Sequence, residues 1–500
     1  MSLWNEEFNK FIGHYLDYKD FTNIDHSPSN LIRVFDADIG RRVGFERVAV
    51  HHVTLPSGYR TSSPHAESHE EEFVFVLKGC PDLWLNGLIY SLKEGVAVGF
   101  PSGTGIAHTF INNTQEDIHL LVVGESTKNE NLCAFPINPE LKESCGIWWD
   151  DPPTHELGSH NGLPGPIRES EWGGKSPKCV IDCIAMELGK AFHYPGDNET
   201  FGNGVRITDR LGLKALGIWY ESLPPGRRSA FPHAHTHEEE FIYVIKGTLT
   251  VWMDGFVKEL DEGCFAAFPS NTGIAHTIIN DTDENVVYLC IGETQEFENE
   301  KITYPLHSLR ERECARKGWL WSDPPKRSVG SHLGKPKNHF SEHLRLQSIS
   351  LDDAEKLIGR FRDSENGIEI MQCDLSKKAF AEFPEQLSQC ASECFTFVYQ
   401  EHFVGVVHLY VHPREVGAYY VGQFAIDEGA EGSGLVSKCY QLLEDYIKRA
   451  LDGQLLRLGV CVRMDSTAFW IEQGFKATGK AYYGDGNPTQ NQIEELEKKL

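Results

Sequence analysis

No run of apolar residues in this sequence is long enough to span a bilayer, so a membrane helix is not expected. The start, Met1-Ser-Leu-Trp-Asn-Glu-Glu, lacks the basic and apolar regions of a signal peptide. Positive charge is scarce: 47 Lys and Arg stand against 73 Asp and Glu, a formal net charge of −26. Nucleic acid and anionic membrane both call for a basic footprint, so neither is expected as a partner. The 13 cysteines are odd in number and lack a paired metal-type spacing; Cys179 and Cys183 come closest. Reduced thiols and a cytoplasmic location follow as expectations. Long polar tracts are missing as well, which leaves an ordinary globular composition. Its 500 residues exceed what one core supports, so about three domains are expected.

From Val43 onward short apolar runs alternate with Gly and Pro: Arg47-Val-Ala-Val-His-His-Val-Thr, Phe73-Val-Phe-Val-Leu, Leu83-Trp-Leu, Val96-Ala-Val-Gly-Phe and Leu120-Leu-Val-Val. Strands this short, with turn residues between them, predict a sandwich or small barrel. Lys78-Gly79 and Asn86-Gly87 sit where tight turns fall. The texture then returns in register. His65 matches His233, Glu72 matches Glu240, Gly79 matches Gly247 and His108 matches His276, each pair 168 positions apart. A constant offset over several motifs marks two copies of one domain. Each copy also closes alike, with Trp149-Asp-Asp-Pro-Pro leading to Gly158-Ser-His160 and Trp321-Ser-Asp-Pro-Pro leading to Gly330-Ser-His332. His160 and His332 are read as structural. Before the first copy, Phe8, Phe11, Ile12 and Tyr15 fall at helical spacing and suggest a short entry helix.

The second copy holds the densest chemistry. His233 and His235 are one residue apart, so on a strand they point to the same side. A carboxylate follows, and His276 arrives later. Three imidazoles and a carboxylate inside a small barrel make a mixed N/O site for a divalent first-row metal. Zn, Fe, Mn and Ni are not distinguished by these residue types.

Residues from about 40 to 335 resemble a bicupin, two tandem cupin barrels. In the second copy the motif runs Gly226, His233, His235, Glu240, Gly247, then Gly263, Pro269, Gly273, His276 and Asn280. The resemblance implies His233, His235, Glu240 and His276 as metal ligands, with Glu239 as the fallback carboxylate and His237 as a substitute or mouth residue. The first copy runs Gly58, His65, Glu72, Gly79, Gly95, Pro101, Gly105, His108 and Asn112, with Glu67 in place of the second histidine. His65, Glu67, Glu72 and His108 are its implied ligand set, and His69 is a possible compensator. Trp84, Phe110, Trp252 and Phe268 are read either as pocket walls or as core.

After about His343 the pattern becomes α/β. Strands are expected at Leu344-Arg-Leu-Gln-Ser-Ile, at the hairpin Cys394–Tyr399 and Val404–Val411, at Tyr419–Ile426 and from Leu456. Helices are expected at Leu351–Arg362, at Leu435–Leu451 with Leu442, Leu443, Tyr446 and Ile447 on one face, and at Thr467–Gln473. Gln492–Leu500 reads as a short exposed helix or frayed tail. Residues 343–484 resemble the GNAT superfamily of acyl-CoA-dependent N-acyltransferases. The likeness rests on the strand order, on the glycine-rich turn before Leu435, and on Asp465-Ser-Thr-Ala-Phe-Trp470-Ile-Glu-Gln-Gly474-Phe475. It implies that Gly432, Ser433, Gly434, Leu435 and Val436 cradle the pyrophosphate of acetyl-CoA or another acyl-CoA. Two departures weigh against activity: Glu431 puts a carboxylate beside that pyrophosphate, and Trp470 stands where the family has a tyrosine general acid. His408, Glu415 and Tyr440 are weak catalytic candidates, as is Cys439.

The expected architecture is thus an N-terminal extension (1–40), a first jelly-roll barrel (41–163), a linker and second barrel (164–335), an α/β GNAT domain (343–484) and a tail (485–500). The leading functional expectation is an N-acyltransferase acting on a small polar amine that the barrels bind or prepare. A cupin metalloenzyme (oxygenase, isomerase or lyase) with a degenerate acyltransferase domain is the first alternative, and a non-catalytic metabolite sensor the second. A homodimer is a possible assembly.

Overall fold

The internal repeat is realised strand by strand in the computed structural model, which describes residues 5–17, 22–23, 31–126, 128–294, 299–338, 342–362, 368–370, 391–412, 415–427, 434–461, 466–483 and 492–500. The chain divides into two units: Met1–Ala191 with Phe201–Leu306 and Trp319–Lys337, and Phe192–Thr200 with His307–Gly318 and Asn338–Leu500. Among the described residues, no helix is long and apolar enough to cross a membrane.

The first unit holds both barrels. In the first barrel, Glu72–Lys78 lies between Val96–Phe100 and Ile118–Glu125, and Val48–Leu55 follows on the far side of Ile118–Glu125. The smaller sheet is Asp82–Leu85 between His108–Ile111 and Leu88–Ser91. Val74 and Val76 pack with Leu83 and Phe110 inside the barrel, while Phe73 and Phe75 join the core that continues into the second barrel. A strand buried on both faces explains the unbroken apolar run at Phe73–Leu77. The second barrel repeats the plan with Glu240–Lys246, Cys264–Phe268, Val286–Glu293 and Leu216–Leu223, closed by Leu249–Met253, Phe256–Leu260 and His276–Ile279. Asn86 (φ 47) with Gly87 (φ 86), and Asp254 (φ 46) with Gly255 (φ 85), are the left-handed pairs that a two-residue hairpin turn needs.

The two copies exchange their leading strands. Ile12–His14 pairs with Cys264–Ala266 of the second barrel, and Val180–Asp182 pairs with Val96–Val98 of the first. Both arms obey the offset of the repeat, and each covers an edge that would otherwise expose unpaired N–H and C=O groups. The predicted entry helix is instead a 3-10 turn, Glu6–Phe11, running into that strand. Its apolar spacing serves as an anchor: Phe8, Phe11 and Ile12 are buried.

The second unit is a mixed sheet in the order Leu344–Ile349, Ser392–Tyr399, His402–Val411, Ala418–Asp427, Leu455–Cys461, Gln492–Lys499, Lys476–Tyr483. Ala418–Val421 pairs parallel with Leu455–Leu458. Further along, at Ala425–Asp427, the partner is Ile368–Ile370. Helix Leu435–Ala450 buries Leu442, Leu443, Tyr446 and Ile447, the face expected from its periodicity.

Three boundaries differ from expectation. Gln492–Lys499 is a strand between Leu455–Cys461 and Lys476–Tyr483, so the expected tail (485–500) includes an element of the sheet. Ile493, Glu495 and Leu496 are buried there, and that pairing overrides a helix-favouring Glu/Lys composition. Val180–Asp182, expected with the second barrel, belongs to the first. Residues 192–200 and 307–318, the latter carrying helix Ser308–Arg316, belong to the C-terminal unit.

Candidate metal centres and the C-terminal unit

In the second barrel, His233, His235 and Glu240 each place a ligand atom within 4.8 Å of the others. His276 Nε2 lies 3.2 Å from Glu240 Oε2, and His233 Nε2 lies 3.8 Å from the same oxygen. His233, His235 and Glu240 form the converging group, and His276 reaches it through Glu240. Their outer nitrogens are anchored: His233 Nδ1 is 2.7 Å from Phe231 O, His276 Nδ1 is 3.2 Å from Ile274 O, and His235 Nδ1 is 3.3 Å from Glu300 Oε1. A ring whose Nδ1–H donates outward keeps its Nε2 lone pair facing inward, which is how protein orients a metal-binding imidazole. Burial opposes charge on Glu240, but His276 and His233 outweigh it and hold the carboxyl well below its usual range. Phe268 stacks on His276 at 3.6 Å. The donor set and its orientation fit a divalent cation.

Two of the alternatives fall away. Glu239 points the other way along its strand and accepts N–H groups of Glu46, Arg47 and Val48. His237 is held at the rim by Thr236 and Glu300.

The first barrel brings together His65, Glu72 and His108. His108 Nε2 is 3.6 Å from Glu72 Oε1, and among the described residues neither ring nitrogen of this buried histidine makes a hydrogen bond. That orphaned ring suits a cation. Glu67 does not join the converging trio. Burial, with Glu72 and Glu70 adding, pushes its pKa up to about 8. His69 is turned to Ser68. This centre is therefore two imidazoles and one carboxylate, one ligand poorer than expected.

Several groups beside the second centre had no motif to announce them. Tyr288 donates its hydroxyl to Glu221 Oε2, and Cys290 Sγ lies 3.6 Å from Glu240 Oε1. Burial, with Glu240 adding, pushes the Glu221 pKa up to about 7. The equivalent positions in the first copy are Val53, Leu120 and Val122. Comparing the two copies would have exposed these residues: the second barrel is polar where the first is apolar. Glu300 was also missed; besides His235 it accepts the N–H groups of Thr236, His237 and Glu238.

His160 and His332 are structural, as expected. Each accepts a tryptophan N–H on its carbonyl, from Trp84 and Trp252 respectively, and each accepts a backbone N–H on its ring.

In the C-terminal unit, Gly432, Ser433 and Glu431 lie outside the described residues. Gly434 (φ 69) starts helix Leu435–Ala450, and Leu435 is buried. Trp470 is fully buried among Phe424, Tyr440, Phe469 and Phe475. Tyr440 is buried too, its hydroxyl 3.4 Å from Lys498 Nζ, and burial followed by Glu444 raises its pKa. Cys439 is likewise buried. Glu415 forms an ion pair with Arg457 at 2.7 Å. His408 Nδ1 is 3.1 Å from the Tyr410 hydroxyl, beside a bulge where its strand meets Ala418–Asp427. These contacts give the expected candidates structural partners and do not bring them together.

Residues 51–124 and 219–292 each match the cupin domain family, and residues 364–475 match the acetyltransferase (GNAT) family. Solved structures similar to this chain include a single-residue variant of Bacillus subtilis oxalate decarboxylase, 17% identical, covering 59% of this chain and 79% of that one, with a TM-score of 0.37. A Lactobacillus farciminis oxalate decarboxylase in complex with formate is 14% identical, covering 60% and 90%, with a TM-score of 0.39. No curated protein matches the chain.

Proposed function

We propose, for a chain that is two cupin domains followed by a GNAT acetyltransferase-family domain, a metal-dependent enzyme whose chemistry sits in the second barrel. The observation that carries this reading is the asymmetry of the two copies. Only the second sets an acid–base pair, Glu221 with Tyr288, beside a four-residue ligand set. His233, His235, Glu240 and His276 would hold a divalent cation, which when bound supplies Lewis acidity to an oxygen of a small substrate. Glu221, its pKa about 7, is poised both to give and to take a proton near neutral pH, and Tyr288 orients it. Val53 and Leu120 make the first barrel unsuited to the same proton transfer. That leaves it a binding or structural role.

The test is substrate turnover by the purified chain loaded with Mn²⁺, Fe²⁺, Ni²⁺ or Zn²⁺, against a panel of small carboxylic and hydroxy acids. The expected pattern is metal-dependent loss of substrate, abolished with the metal in His276→Ala, and abolished with the metal retained in Glu221→Gln. Turnover that survives His276→Ala would overturn the reading. The cysteines whose side chains are described are all free of disulfides, which supports a reducing compartment such as the cytoplasm.

Acyl transfer from an acyl-CoA is the second reading. It is supported by the family match and by the left-handed Gly434 that opens the helix after the expected phosphate turn. An amine substrate would then be acylated without help from Tyr440 or Trp470, both locked in the core. Calorimetric titration with acetyl-CoA tests it. Micromolar binding that Gly434→Glu weakens keeps it, and absence of binding removes it.

A further inference from the structure

We infer that Asp197, Glu199 and His343 form a further divalent-cation site, structural in role, inside the C-terminal unit. The three side chains each place a ligand atom within 4.8 Å of the others. All are buried, at 2%, 4% and 4% exposure. Two carboxylates taken out of water in one place call for balancing positive charge. His343 Nε2 lies 2.8 Å from Asp197 Oδ1, which also accepts the Glu199 N–H at 2.8 Å. Asp197 Oδ2 is buried in the same cluster and makes no hydrogen bond among the described residues. A buried carboxylate oxygen without a hydrogen bond, on a residue clustered with a second carboxylate and an imidazole, is what a cation of the zinc type would satisfy. His307, just ahead of helix Ser308–Arg316, adds its electrostatic influence to the Asp197 carboxylate.

The site joins two pieces of chain that are far apart in sequence. Asp197 and Glu199 lie on the strap 192–200, and His343 leads into strand Leu344–Ile349. The backbone already holds the strap against that strand: Asn198 N–H donates to Leu344 O, Leu344 N–H to Asn198 Oδ1, and Leu346 N–H to Gly196 O. Binding exchanges the proton on His343 Nε2 for the cation and fixes the strap to the sheet. The internal repeat supplies a control. Shifted back by the offset of the repeat, Asp197, Glu199 and His343 fall on Ser29, Leu31 and Lys175, so neither barrel needs this cluster.

The test is zinc content. The full chain carrying His65→Ala, His108→Ala, His233→Ala and His276→Ala, which empties both barrels, is dialysed against Zn²⁺ and then against buffer. About one zinc ion per chain is expected to remain, and Asp197→Asn on that background is expected to lose it. Asp197→Asn keeps the Oδ1 acceptor for Glu199 and His343, so it removes the ligand with little change of shape. If the four-fold variant does not fold, the wild-type chain and Asp197→Asn alone should differ by the same one zinc. EDTA should also lower the unfolding temperature of the wild-type C-terminal unit and leave that of Asp197→Asn unmoved. Equal zinc with and without Asp197→Asn overturns the site, as does a folded, barrel-emptied chain that retains none. Neither outcome bears on the barrel chemistry proposed above.

Discussion

Glu71 and Glu239, equivalent positions of the two copies, each reach out of their own barrel and close the start of a strand in the other. Glu71 accepts the N–H groups of Lys214, Ala215 and Leu216. Glu239 accepts those of Glu46, Arg47 and Val48. Each precedes a glutamate of a candidate metal centre, Glu72 or Glu240, so strand alternation sends one carboxylate to the barrel's own centre and its neighbour to the other barrel. The inter-barrel contact and the two centres are therefore set by the same dipeptide.

Glu239→Ala leaves three backbone N–H groups without their acceptor in a buried interface. A loss of about 3–5 kcal/mol is expected. Denaturant unfolding of the barrel unit measures it, and Glu71→Ala should cost nearly as much, less the Arg47 ion pair that Glu239 alone makes, since Ala215 stands at the position equivalent to Arg47. A change under about 1 kcal/mol in both would mean that water replaces the carboxylates without penalty.

The first centre separates two glutamates that are close in sequence. Glu72→Gln is expected to remove the cation of the first barrel, since Glu72 faces His65 and His108. Glu67→Gln is expected to leave metal content unchanged, because Glu67 stands outside that trio. Metal analysis of both variants, on a background of His233→Ala, His276→Ala and Asp197→Asn, reads the first centre alone. Retention of metal by Glu72→Gln would place the ligand elsewhere.

Phe8 is fully buried and meets Phe256 edge-on at 6.0 Å, holding the exchanged arm on the second barrel. Phe8→Ala is expected to destabilise that barrel by about 3–5 kcal/mol, the usual range for a buried phenylalanine. Deleting residues 1–17 should go further and expose the Cys264–Phe268 edge, seen as self-association in sedimentation. A deletion variant that stays monomeric with unchanged unfolding would show the arm to be dispensable.

Much of this was legible from residues alone. The constant offset between the copies and the His-x-His spacing placed both barrels and most of the residues now seen in the candidate centres, because strand alternation and hairpin turns are local rules. Glu67 lies outside the converging group of the first barrel, because position in a motif does not reveal which carboxyls converge. The strand exchange was hidden because Ile12–His14 and Val180–Asp182 are very short and gain meaning only from distant partners. Gln492–Lys499 has a helix-favouring composition, and only its pairing with Leu455–Cys461 makes it a strand. Glu221 and Tyr288 carry no motif and emerge from what the two copies do not share.

The barrel unit also carries a built-in acid sensitivity. His52 is fully buried, stacked on Tyr15 at 3.9 Å, and among the described residues neither of its ring nitrogens makes a hydrogen bond. Burial pushes its pKa down to about 3, and His119 and His14 push it the same way. The charged groups acting on this cluster include Lys78 and Asp117, on His119, and Glu262, on Tyr15. In the unfolded chain the same imidazole titrates near 6.5. Between the two values the unfolded state binds a proton that the folded state refuses, so stability is complete above about pH 6.5 and is lost as the pH falls toward about 3. The slope is roughly 1.4 kcal/mol per pH unit from this group alone. His52→Tyr removes the titration and installs the residue found at the equivalent position, Tyr220, which the repeat already accommodates. Unfolding free energies measured from pH 7 to pH 4 should fall less steeply for the variant than for the wild type. Parallel curves would mean that His52 takes up its proton in the folded state as readily as in the unfolded one.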